Sequence, residues 1–240
     1  MARRALRKLD PTLDLSWHYV ELESLTAPFE PTAVFGCEAP LEVEIGSGKG
    51  LFLSAAATEN PDHNFLGIER ATKYARYAAS RLAQRNLSNA RLVHGDAKRL
   101  LTEWIPDNSL AAVHVYFPDP WWKARHKKRR MMTEGIVREI ERVLCSHHAS
   151  RDEAPLAPGD PTLAIVMRSS TATPGTLHFW TDVEEYFQAT LELIAAHTKL
   201  TGPHQVQEQP ADHDLDYRTH FERRMRQNNL PVYRAEFRKE

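Results

Sequence analysis

What most confines the fold of this chain is a succession of short apolar runs, Leu41–Ile45, Asn64–Glu69, Arg91–Asp96 and Leu110–Phe117, each followed by a stretch with helical spacing. Leu51 to Thr58, Ala71 to about Arg85 and Lys98 to Trp104 read as helices. So does Glu134 to Cys145, which carries Ile136, Val137, Ile140, Val143 and Leu144 on one face. Strands that alternate with helices at these lengths make βαβ units, so the expectation is an α/β fold with a mainly parallel, twisted sheet and helices on both faces. Pro231 to Phe237 reads as a last strand, giving a C-terminal antiparallel hairpin at the sheet edge. The first forty residues, punctuated by Pro11, Pro28, Pro31 and Pro40, read as an irregular basic arm (1–40), and 41–240 as a single domain.

Composition narrows the class without choosing a function. A chain of 240 residues with 42% hydrophobic and 26% charged residues can bury a sizeable core. No apolar run approaches the roughly 20 residues of a membrane span, and the basic start is followed by acidic and polar residues rather than a signal-peptide core. Cys37 and Cys145 lie far apart and form no metal or redox pattern, which suits a reducing, cytoplasmic setting. The histidines show no paired spacing of a metal site, so no metal is expected.

The turn after the first strand, Gly46-Ser47-Gly48-Lys49-Gly50, has glycines at alternate positions, which lets the backbone approach a ligand closely. A dinucleotide fingerprint would read G-x-G-x-x-G; this turn is G-x-G-x-G. Glu44 stands at its entrance, where a carboxylate repels a phosphate yet suits a cationic ligand. Glu69, at the end of the second strand, is placed for ribose hydroxyls, and Asp96, at the end of the third, for an adenine amine. Each acid could instead serve as a helix N-cap, but three of them ending successive strands beside a glycine loop point to a ligand. A ribose, an adenine and a positive centre without phosphate describe S-adenosylmethionine.

The fourth strand delivers Asp119, held between Pro118 and Pro120, to the sheet's carboxyl edge, where open α/β sheets bind ligands. Behind it, residues 121–130 hold six Lys or Arg and no acid, although the net charge is only −1. Such a run supplies nucleic-acid affinity by releasing counterions, though alone it is commonly a solvated face. Lys123, Arg125 and His126 read as phosphate contacts, with Lys127, Lys128, Arg129 and Arg130 as an electrostatic funnel. Trp121 could stack on a base or pack beneath the loop. Tyr217 to Arg224 alternates basic and aromatic residues, and Thr219-x-x-Glu222 also has capping-box spacing.

Glu44 to Gly50, Gly67 to Glu69, Gly95 to Ala97, Phe117 to Trp121 with Lys123, Arg125 and His126, Thr181-Asp182, and Thr219-x-Phe221-Glu222 together resemble the bacterial tRNA (guanine-N7-)-methyltransferase family. The resemblance runs in order from about residue 41 to 237 and is most specific in the FPDPW-x-K-x-R-H block. It implies a Rossmann-like class I methyltransferase fold, S-adenosylmethionine as cofactor, tRNA as substrate and 7-methylguanosine, at a variable-loop guanine, as product. It further implies that Glu44, Gly46, Gly48, Glu69, Asp96 and Asp119 contact the cofactor. Lys123, Asp182, Thr219, His220, Phe221 and Glu222 would contact tRNA, with Asp119 catalytic. No obligatory protein partner is evident, and a monomer or homodimer is expected.

The chain departs from that pattern in two places: 147–174 reads as an insertion, and Trp122 is bulkier than the usual Pro or His. Two apolar runs, Thr162 to Met167 and Thr176 to Trp180, compete for the fifth strand; the second is favoured because it delivers Asp182 to the strand end. Two other function classes fit parts of the sequence. A methyltransferase acting on exocyclic amines would normally show Asp or Asn before two prolines, unlike the Pro-Asp-Pro-Trp order here. An idle RNA-binding scaffold would have no need of the four cofactor carboxylates.

Overall fold

The computed structural model describes residues 6, 8–121, 129–146, 174–208, 210–211 and 217–240. Lys123, Arg125, His126, Lys127 and Lys128, the run Thr162 to Met167 and all but the last residue of the 147–174 insertion lie outside the described residues. Among the described residues there are eight strands, namely β1 (Tyr19–Glu21), β2 (Leu41–Ile45), β3 (Asn64–Glu69), β4 (Ala90–His94), β5 (Ala112–Tyr116), β6 (Thr176–Thr181), β7 (Thr201–His204) and β8 (Tyr233–Arg238). They form one sheet in the order β1-β4-β3-β2-β5-β6-β8-β7. β1 to β6 pair in parallel, and β8 runs antiparallel to both β6 and β7. Thr176 to Trp180 is thus the strand beside β5, as its delivery of Asp182 required.

Helices cover both faces, and this explains why β3 and β5 read as continuous apolar runs instead of alternating ones. α2 (Leu51–Glu59) and α3 (Thr72–Ala83) pack on one face through Phe52, Leu53, Ala75, Ala78, Ala79 and Leu82. The other face carries α1 (Pro31–Phe35), α4 (Ala97–Arg99) with its wide-turn continuation Leu100–Trp104, α5 (Glu134–Val143) and α6 (Glu184–His197). A last helix, α7 (His220–Gln227), precedes β8.

The first forty residues contribute more than an irregular arm. Tyr19, Val20 and Glu21 pair in register with Leu92, Val93 and His94 of β4, and Leu22, Phe29 and Phe35 are buried in the core. A strand of three residues is too short for periodicity to reveal, and the prolines around it read only as interruptions. β7 was missed for a related reason, because its Thr-Gly-Pro-His sequence reads as a turn; at the outer edge of a sheet proline is tolerated.

A polar chain crosses the α2 face of the sheet. Glu42 on β2 meets His63 (2.7 Å) and His114 on β5 (2.6 Å). The His114 ring stacks on His178 of β6, with centroids 4.6 Å apart, and His178 reaches Glu236 of β8 at 3.1 Å. A neutral His114 satisfies its surroundings fully: Nε2–H donates to Glu42, and Nδ1 accepts from the Tyr116 hydroxyl at 2.9 Å. Burial disfavours the charged imidazole and pushes His114 down to about 4, although Glu42 pulls the other way. Burial alone would raise Glu42, but the two imidazoles bonded to it hold its carboxyl at about 2.

Two consequences are measurable. Gly67 on β3 lies where an added Cβ would collide with Leu53 and Ser47. Gly67→Ala is therefore expected to lower stability by about 1–3 kcal/mol in a denaturant titration. His114 has a folded-state pKa below its unfolded value, so the unfolded chain binds the extra proton between about pH 6.5 and about 4. Stability is expected to fall as pH drops through that window. His114→Gln should flatten that part of the Tm–pH curve and reduce the loss from Glu42 at lower pH to the share held by His63; parallel curves would contradict it.

Candidate active site

The strand order reverses between β2 and β5, since β3 and β4 follow on one side and β6 on the other. The crevice at the carboxyl ends of those two strands is where such sheets bind ligands. Into it opens the turn after β2. Gly46, Gly48 and Gly50 have φ of 78°, 54° and 67°, a left-handed conformation that glycine adopts without strain. The N–H groups of Gly46 and Ser47 donate to the Ile68 carbonyl (2.8 and 3.2 Å), fastening the turn to β3. A Cβ on Gly50 would strike Ala78, so glycine here also permits α2 and α3 to approach.

Three of the predicted acids surround this turn in different states. Glu44 is 3% exposed, and its Oε2 has no hydrogen-bond partner among the described residues. Dehydration pushes its carboxyl up to about 8, opposed by hydrogen bonding from Ser47 and reinforced by the charge of Glu69. Glu69 accepts the Gly48 N–H through Oε2 (2.9 Å) and the Ala71 N–H through Oε1 (2.8 Å), bridging the glycine turn and the start of α3. Asp96 does cap a helix: its Oδ1 accepts the Lys98 N–H at 2.9 Å, while Oδ2 lies 3.8 Å from Arg70 and the side chain stays 42% exposed.

Asp119 is exposed in the loop after β5. Phe117, with φ of 50°, turns the chain out of the strand while its N–H donates to the Trp180 carbonyl at 2.8 Å. Beyond Asp119, Arg130 Nε donates to the Pro120 carbonyl at 2.7 Å and its guanidinium lies over the Tyr186 ring. Arg130 therefore has a structural use beside the phosphate role read for it. Arg129 is exposed, with its guanidinium 5.2 Å from the centre of the half-buried Trp121 ring.

The C-terminal segment reaches the same edge because β8 begins opposite the end of β6, with Tyr233 paired to Thr181. Asp182 directly follows that end of β6. Phe221 on α7 stacks on Phe117, centroids 5.7 Å apart, two residues before Asp119. Thr219 and Glu222 are turned to their own helix. Thr219 Oγ1 accepts the Glu222 N–H (3.0 Å), and Glu222 Oε2 accepts the Arg218 N–H (2.7 Å). Glu222 is 3% exposed, with Oε1 against Arg234 at 3.1 Å and Arg226 at 3.5 Å. His220 Nε2 lies 3.5 Å from Arg81.

One member of the Tyr217 to Arg224 segment has a contact the sequence did not indicate. Arg218, although exposed, places its guanidinium over Trp180 and Phe52, 5.7 and 5.8 Å from the ring centres, beside the Tyr116 hydroxyl whose titration it influences. The alternation of basic and aromatic residues from Tyr217 signals a surface, but not which arginine meets these rings.

Carboxylates at the ends of three adjacent strands, beside a turn free of side chains at its glycines, have the chemistry to receive a cationic, hydroxyl-bearing ligand. The orphaned Glu44 oxygen is the feature that asks for a donor from outside. Among the described residues no group of His, Cys, Asp and Glu could hold a metal ion, and no helix is long and apolar enough to cross a membrane.

Comparison with known proteins agrees with this geometry. Residues 38–148 match the family model Methyltransf_4, described as "Putative methyltransferase". Among solved structures, the aminoglycoside resistance methyltransferase NpmB1 aligns with a TM-score of 0.51 at 14% identity, over 86% of this chain and 90% of that one. A precorrin-6y C5,15-methyltransferase from Geobacter metallireducens aligns with a TM-score of 0.50 at 14% identity, over 93% and 98%. At such identities the likeness concerns the fold alone. Closer in sequence is a tRNA (guanine-N(7)-)-methyltransferase from Rhodopirellula baltica, 42% identical over 100% of this chain and 80% of that protein. One from Alcanivorax borkumensis is 34% identical over 88% and 77%. With a Rossmann-like sheet, a glycine turn flanked by acids and relatives matched over 80% and 77% of their own length, the chain belongs to the tRNA (guanine-N7-)-methyltransferase family.

Proposed function

We propose that this chain transfers a methyl group from S-adenosylmethionine to N7 of a guanine in tRNA, in the cytoplasm and at the variable loop, as the family resemblance implies. The observation that carries the reading is the buried carboxyl of Glu44, which has an unpartnered oxygen beside an acid-ringed glycine turn. A phosphate-bearing cofactor is disfavoured by those acids, whereas the amino acid and nucleoside parts of S-adenosylmethionine match them. In this assignment Glu44 accepts from the ligand's ammonium group, Glu69 accepts from ribose hydroxyls, and Asp96 accepts from the adenine amine. Gly46 and Gly48 keep the turn narrow. When bound, S-adenosylmethionine supplies the electrophilic methyl.

Guanine N7 carries a free lone pair, so no proton has to be removed before transfer. The protein's task is to hold N7 in line with the methyl and to stabilise charge on the ring. Asp119 is suited to both: as an exposed carboxylate it can accept from the guanine N1 and amino hydrogens and balance the positive charge left on the base. Pro118, Pro120 and the Arg130 hydrogen bond to Pro120 fix its backbone. Phe221 against Phe117 brings the substrate segment to the same point, and Asp182 follows the neighbouring strand. Lys123 and the cations after it supply phosphate contacts in this reading.

Incubation with methyl-labelled cofactor and unmodified tRNA is expected to put the label in 7-methylguanosine; label in any other nucleoside would overturn the assignment. Asp119→Ala should lower turnover by about 10²-fold or more while tRNA affinity is retained, and equal loss of both would make Asp119 a structural residue. Glu44 gives a separate readout. Its carboxyl is raised to about 8 in the free chain, so a cationic ligand binds its ionised form, releases a proton near pH 7 and gains affinity as pH rises toward that value. Calorimetry in buffers of different ionisation enthalpy should show this release in the wild type and not in Glu44→Gln; the same release in both would remove Glu44 from the site.

A further inference from the structure

A second basic surface lies outside the cationic block that follows Asp119. Residues 70–94 contain six Lys or Arg and no Asp or Glu. On α3, Lys73, Tyr77, Arg81 and, just past its end, Arg85 recur every fourth residue and so share one helix face. On α7, His220, Arg223, Arg224 and Gln227 share another by the same spacing, while the helix's one acid, Glu222, is buried on the opposite side against Arg226 and Arg234. The two faces meet. Arg81 Nη2 lies 3.5 Å from His220 Nε2, and the charges of Arg85 and Arg223 both bear on Arg81.

Packing these cations together has a cost. Like charges at neighbouring helix positions destabilise the folded state, and neither Arg81 nor Arg85 has a carboxylate partner among the described residues. Burial lowers the Arg81 guanidinium from its ordinary value; the charges of Arg85 and Arg223 act in the same direction and Tyr77 in the opposite one. A ligand that supplied negative charge to this face would relieve both effects.

Its position indicates which polyanion. Arg81 Nε donates to the Lys49 carbonyl at 3.1 Å, so the α3 face abuts the glycine turn. At the other end, Arg224 lies over the Phe221 ring, 4.6 Å from its centre, and Phe221 stacks on Phe117 two residues before Asp119. The surface thus runs from the cofactor turn past the substrate segment to the edge where Asp119 stands. We propose that the joined faces of α3 and α7, through Lys73, Arg81, Arg85, Arg223 and Arg224, hold the sugar–phosphate backbone of tRNA along the surface that leads from the glycine turn to Asp119. This rests on the reading of tRNA as substrate. Nothing on these faces reads bases, so the contribution is to affinity and orientation, not to sequence choice.

The test is equilibrium binding of unmodified tRNA, without cofactor, across a range of salt concentrations. Arg85 and Arg224 are exposed, so R85Q/R224Q should fold normally, which retained S-adenosylhomocysteine binding would verify. The expected result is a tRNA Kd raised several-fold and a slope of log K against log salt that shrinks by about 0.7–0.9 for each phosphate contact removed. R81Q should act in the same direction; because Arg81 is partly buried, R85Q/R224Q is the decisive variant. An unchanged slope and Kd in R85Q/R224Q would overturn the proposal and leave these faces to some other partner. Since catalysis is not read, the two hypotheses separate. A wild type that shows the slope loss in R85Q/R224Q but places no methyl on N7 would support the surface and sink the function proposed above.

Discussion

The candidate site depends on the parallel pairing of β2 with β3 on one side and β5 on the other. Val43 stands opposite both Leu66 and Val113, and the whole crevice follows from that register. A slip of one residue would turn Glu44 to the opposite face of the sheet, since side chains alternate along a strand. It would also break the bonds from Gly46 and Ser47 to the Ile68 carbonyl that give the glycine turn its shape. The polar chain through Glu42, His114 and His178 lies in the same strands and helps to set that register. An apolar slip would leave its buried charges and imidazoles without partners.

Two buried glutamates in this fold show how the same side chain is used in opposite ways. Glu222 has a backbone N–H on one oxygen and two guanidinium groups at the other, so its charge is met within the protein. Removing a partner from such a buried group is costly, which makes it an anchor that holds α7 against β8. Glu44 is equally buried but has an oxygen with no partner among the described residues, and dehydration favours its neutral form. One glutamate stabilises the segment that sets Phe221 against Phe117. The other is left unsatisfied where a ligand's cation can complete it.

Much of the fold was legible because the central strands are buried on both faces and so appear as uninterrupted apolar runs. The boundaries read for β2 and β3 coincide with those observed. Acids at strand ends were legible for the same reason, as breaks in those runs. Short or proline-bearing elements were not: β1 has three residues, and β7 contains Gly202 and Pro203. Spacing could not separate a capping acid from a ligand-binding one. Asp96 caps α4, Glu69 bonds to two backbone amides, and Glu44 does neither, yet all three end strands in the sequence. Thr219 and Glu222 show that a capping box and a place at the site's edge are compatible. The placing of Arg218 depends on Trp180 and Phe52, which the fold alone brings together.

The hydrogen bond from Arg130 to the Pro120 carbonyl spans ten positions of sequence at a distance of 2.7 Å. The chain that carries most of the cationic block must therefore leave and return at nearly one point, directly beside Asp119. Joining the ends of a segment that long has an entropic cost set by its length, and here it is met during folding. A pull on the Arg130 side chain is thereby passed to the peptide unit that follows Pro120, one residue beyond the acid.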